Sequence, residues 1–73
     1  MITAGQALDI AHAAALQHMQ IDPANPIEVR LLDGRYIVTF VHSNPPGVRG
    51  PDYDARVTLD AATGDVLEIL GAS

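Results

Sequence analysis

The chain has no cysteine and no lysine. Without thiols there are no disulfides, no thiol catalysis, no iron–sulfur cluster and no cysteine-held zinc. Without lysine there is no Schiff base, no phosphate-cradling P-loop lysine and no amine nucleophile. Positive charge is scarce: Arg30, Arg35, Arg49 and Arg56 stand against nine carboxylates, for a net charge of −5. Such a balance argues against nucleic acid and anionic membranes, both of which require a basic patch. Long apolar runs are missing too. Met1 to Gln6 carry no positive side chain, and Asp9, His12 and Gln17 interrupt the alanine-rich stretch that follows, so neither a signal peptide nor a spanning helix is expected. The expected location is cytoplasmic if Met1 is the native start, and outside the cell if a signal peptide was removed.

What is present is a folding composition, 48% hydrophobic and 18% charged in 73 residues, enough for one domain. A chain of this size buries only about 60% of the surface its unfolded form exposes. Small domains commonly add disulfides, a metal or a partner subunit, and with disulfides excluded and no clear ligand set for a metal, association is expected.

Residues 4–20 read as a helix. Thr3 is its N-cap, and Gln6 completes a capping box. Ala4, Leu8, Ala11, His12, Ala15 and Met19 share one face, flanked by Ala7 and Leu16, while Gln6, Ile10, Ala13, Gln17 and Gln20 lie opposite. Pro23 and Pro26 bar its continuation. Four strands follow. Residues 27–32 alternate, Asp33-Gly34 signals a two-residue hairpin turn, and residues 35–42 are rich in β-branched and aromatic side chains. Residues 43–52 form a proline-rich loop, 53–60 a third strand, and 65–70 a fourth after a turn ending in Gly64. The predicted fold is α+β, one N-terminal helix packed on a four-stranded antiparallel meander. Period two sends Val29, Leu31, Val38, Phe40, Val57, Leu59, Leu67 and Ile69 toward the helix. Glu28, Arg30, Leu32, Ile37, Thr39, Val41, Arg56, Thr58, Val66, Glu68 and Leu70 then share the other face, which is too apolar for a simple solvated surface.

The opening Thr3 to Ala11, the strand Tyr36-Ile37-Val38-Thr39-Phe40 and above all the hairpin Val57 to Leu67, with its Asp60, Thr63-Gly64 and Val66, resemble the PepSY domain over nearly the whole chain. That resemblance implies a helix followed by antiparallel strands, and a module that binds or restrains a partner such as a peptidase. The same outline, with its Tyr36 to Phe40 strand and Thr63-Gly64 hairpin, also resembles small immunity proteins of bacterial toxin systems, which implies inhibition of a cognate toxin through an acidic surface. Either implies binding rather than catalysis.

The candidate sites follow from these faces. His12 and His18 are about 120° apart on a helix and cannot share a metal; His12 is expected to be partly buried on the core face. Ser43, His42 and Asp52 or Asp54 suggest a serine–histidine–acid set, but neighbouring strand residues point to opposite faces, so Ser43 and His42 should not converge. Asp60 and Asp65 suit turn capping rather than a calcium loop. No catalytic, metal or cofactor residue is therefore assigned. The partner-binding set is Arg30, Leu32, Ile37, Val41, Arg56, Val66 and Leu70 on the open face, with Arg49 on the loop as a fork for a carboxylate. The expected partner is a protein, including a second copy through the open face or an exchanged strand. A small enzyme using His12 or the His42 region is the remaining alternative.

Overall fold

The computed structural model describes residues 1–18, 20, 21, 26–42, 47 and 53–71. Helix α1 spans Ala4–Leu16, and strands β1 (Ile27–Leu32), β2 (Arg35–Val41), β3 (Tyr53–Asp60) and β4 (Val66–Gly71) form one antiparallel sheet in the order β1-β2-β3-β4. The α+β meander is as the sequence pattern predicts.

The capping box starts α1. The Gln6 amide donates to Thr3 Oγ1 at 3.1 Å, and the Thr3 amide donates to Gln6 Oε1 at 2.8 Å. Two of the four orphan amides at a helix start are thus satisfied. The helix ends at Leu16, four residues before the predicted end, and the Gln17 and His18 amides turn back to Ala14 and Ala15. Its buried stripe is Ala7, Ala11 and Ala15; Gln17, His18 and Gln20 are exposed. A short helix is held mainly by the face it packs, and past Ala15 that face has run out. Met19 lies outside the described residues.

Three alanines in register let the helix sit close over β3, β2 and β4. Beneath it lie Tyr36, Val38, Phe40, Ala55, Val57, Leu59 and Ala61, with Ile2, Leu8, Ile10, Ile21, Val29 and Ile69 packed around them. Ile10, which the helical wheel places on the outer side, belongs to this rim, because it reaches past the helix to the β3–β4 turn. A Cβ added at Gly64, whose φ is +82°, would stand 3.1 Å from Ile10 Cδ1. The chain start is fastened to the same end of the sheet: the Ile2 amide donates to the Ala61 carbonyl at 2.8 Å, and the Tyr36 hydroxyl donates to the Ile2 carbonyl at 3.1 Å.

His12 is exposed, contrary to the expectation of a partly buried core histidine, although its ring lies 5.9 Å from that of Phe40. Leu31 does point to the helix side, opposite buried Tyr36, yet it stays half exposed. The helix lies over the other three strands and does not seal β1.

Candidate functional site

The open face is built from the sheet register. Cross-strand partners share a face, and two rows cross all four strands: Arg30, Ile37, Thr58 and Glu68; then Glu28, Thr39, Arg56 and Leu70. A third begins with Leu32 opposite Arg35, because the two-residue turn at Asp33 (φ +51°) and Gly34 (φ +74°) fixes that pair. Alternate residues along the same strands supply the core, so the two sets differ by one step of the period.

Two contiguous shallow depressions lie on this surface. One, of about 390 Å³, is lined by Glu28, Arg30, Leu32, Ile37, Thr39, Arg56 and Thr58. The other, of about 410 Å³, holds Leu32, Asp33, Arg35, Ile37, Thr58, Leu67 and Glu68. Leu32 and Ile37 belong to both and form the apolar ridge between them. The Arg56 Nε donates to Thr39 Oγ1 across a long 3.4 Å, which lays the guanidinium along the sheet. Leu32, Leu67 and Leu70 are 58%, 51% and 40% exposed, an unusual amount of leucine for a face one helix cannot reach.

Of the residues assigned from sequence, Arg30, Leu32, Ile37 and Arg56 do converge on one depression. Leu70 joins them as the cross-strand partner of Arg56. Val41 is half buried and sits past a register shift, paired with Tyr53; it lines neither depression. Arg49 lies outside the described residues.

Val66 needs correction. The β3–β4 register shifts between Thr58 and Leu59, so Val66 stands opposite Leu59, whose side chain is wholly buried on the helix side. Leu67, expected under the helix, instead lines the open-face depression. A bulge admits one extra residue and exchanges the faces beyond it. Two residues escaped the sequence reading, Leu67 for this reason and Arg35 despite a usable signal. A two-residue hairpin at Asp33-Gly34 already places Arg35 beside Leu32.

A second cluster lies at the far end of the sheet. The register passes from Phe40–Ala55 to Val41–Tyr53, which makes Asp54 the extra residue of a bulge. Its Oδ1 lies 2.6 Å from His42 Nδ1, with both side chains partly buried. The pair clips the end of β2 to the start of β3. Ser43 and Asp52, the other members of the serine–histidine–acid set, lie outside the described residues. Among the described residues, no three histidine or acidic side chains are grouped to hold a metal ion. The Asp60 carboxylate is engaged within its own turn, accepting from the Ala62 and Thr63 amides at 2.8 and 3.3 Å. Among the described residues, no helix is long and apolar enough to cross a membrane.

Comparison with family models, with curated proteins and with solved structures finds no match for the chain.

Proposed function

We propose that this domain is a non-catalytic protein-binding module of PepSY type, which restrains a partner held against its open sheet face. The observation that carries this reading is a concentration of the chain's few cations on one face. The chain as a whole is acidic, yet three of its four arginines, Arg30, Arg35 and Arg56, line one apolar face, with Glu28, Glu68 and Asp33 as the acids beside them. Guanidinium groups flanking exposed leucine and isoleucine suit a partner segment that alternates carboxylates with apolar side chains. Thr39 and Thr58 between them are β-branched and stiff, so little side-chain freedom is lost on docking. An immunity-type role calls for an acidic docking surface, and draws no support from this face.

The test uses a displayed library of random peptides, selected on the folded domain. Recovered peptides should be rich in Asp and Glu spaced by Leu, Ile or Val. Their affinity should fall at least about tenfold in Arg35→Glu and Arg56→Glu, each such step corresponding to about 1.4 kcal/mol. It should also weaken with added salt. Recovered peptides that bind both variants as well as the parent would overturn the reading.

A further inference from the structure

The two edges of the sheet are not equivalent. β4 is bulged where it leaves the turn and ends in Gly71. β1 runs beside β2 without a register shift from Ile27 to Leu32, holds no proline, and carries one charge of each sign, Glu28 and Arg30. Among the described residues no strand lies on its outer side, and a regular edge is a template for another strand.

The hydrogen-bond phase of β1 can be worked out. The Val41 amide donates to the Pro26 carbonyl at 2.9 Å, which makes Pro26 and Val41 a hydrogen-bonded pair. In an antiparallel ladder such pairs alternate. Glu28, Arg30 and Leu32 therefore bond to β2, and Ile27, Val29 and Leu31 aim their backbone groups outward. Those same three residues carry their side chains on the helix side, where Ile27 and Leu31 remain 41% and 50% exposed.

The sequence Ile27-Glu28-Val29-Arg30-Leu31 is self-complementary when read antiparallel about Val29. We infer that two copies of this chain pair through β1, antiparallel and centred on Val29, to make one continuous eight-stranded sheet. Ile27 then stands opposite the second copy's Leu31, and Val29 opposite its own counterpart. These are the residues whose backbone groups face outward, so three pairs exchange about six hydrogen bonds. Glu28 falls opposite the second copy's Arg30 on the open face, in the closer, non-hydrogen-bonded spacing that favours cross-strand ion pairs. Apolar contact, backbone phase and charge agree in this one register. Centring β4 on Glu68 would set like charges together, and joining β1 to β4 would leave a free edge at each end and grow a filament. Glu28 and Arg30 also line one open-face depression, whereas Val29 lines neither, so a substitution at Val29 tests the pairing apart from what docks on the open face.

Sedimentation and light scattering on the full chain should give about 15 kDa, twice the 7.7 kDa of one copy, falling toward one copy on dilution. Glu28→Arg and Arg30→Glu should each weaken the dimer at least tenfold, and mixing the two variants should restore it, because each then meets its opposite charge. Val29→Pro removes an outward amide that makes no bond to β2, with a modest loss of packing at the core rim, and should abolish pairing with the fold retained. Should the charge variants fail to fold, hydrogen exchange on the unaltered chain decides: the Ile27, Val29 and Leu31 amides should become slower as concentration rises. A mass of one copy up to roughly 1 mM would overturn the inference. So would a dimer indifferent to Val29→Pro, a mixture that stays monomeric, or exchange at Val29 that ignores concentration.

Discussion

The two faces of the sheet are made by the same strands, one residue out of step, and they have opposite characters. On one, Ala7, Ala11 and Ala15 of α1 close over Val38, Phe40, Val57 and Leu59, all of them fully buried. On the other, threonine hydroxyls, arginines, glutamates and half-exposed leucines share an open surface. The difference shows where the stability resides. The helix face is where removing side-chain volume leaves a hole and adding it forces a displacement. The open face bears residues whose contacts are incomplete, so substitution there changes what the surface can meet more than whether the domain folds.

The sharpest way to break this contrast is Phe40→Ala. Phe40 is the largest fully buried side chain, and truncating such a residue typically removes about 3–5 kcal/mol. In a domain this small that approaches the total, so circular dichroism in plain buffer should show a largely unfolded chain. Overfilling the same interface is the next largest effect. Ala11→Leu adds volume at a fully buried position between helix and sheet and should lower stability by about 1–3 kcal/mol. In urea titrations this would be read as a lower midpoint with an unchanged slope. The smallest expected effect comes from the opposite side. Leu67→Ser should stay within about 0.5 kcal/mol of the parent, as surface substitutions do, while reducing binding of selected peptides. A loss comparable to Ala11→Leu would show that the open face is part of the fold's support, and the two faces would no longer be distinct.

Much of this architecture could be read from local chemistry. Thr3 with Gln6, the Asp33-Gly34 turn and the Asp60 to Gly64 turn each act over a few residues, and each places an element end where it is found or within a residue of it. Features that depend on a partner element were less legible. The helix was expected to continue through Gln20 because its residues permit it, whereas it ends at Leu16, beyond the last buried alanine, and Gln17, His18 and Gln20 are exposed. Val66 and Leu67 are both apolar, so alternation alone could not say which of them the bulge would turn outward. The half exposure of Leu31 depends on where the helix lies across the sheet, which its own amphipathic pattern does not state. The four open-face residues that did converge, Arg30, Leu32, Ile37 and Arg56, all lie within regular register on β1, β2 and β3. Their shared face was readable because the ladder there is unbroken, although Arg35, in the same ladder, was missed. His42 and Asp54 meet at a bulge in β3, whose position no spacing rule supplies.

The fastening of Ile2 to Ala61 and Tyr36 bears on the order in which the molecule assembles. Each hairpin of the meander joins strands that are neighbours in the chain, so its closure entropy is modest. The helix is different. Its first anchor joins Ile2 to Ala61, two residues far apart in the sequence. Little of that anchorage exists until β2, β3 and their following turn are already in place. Contact separation therefore predicts that the sheet forms first and the helix docks onto it, with φ-values high in the hairpins and low in α1. Until α1 docks, both sheet faces are open, and the segment that distinguishes inside from outside is the last to arrive.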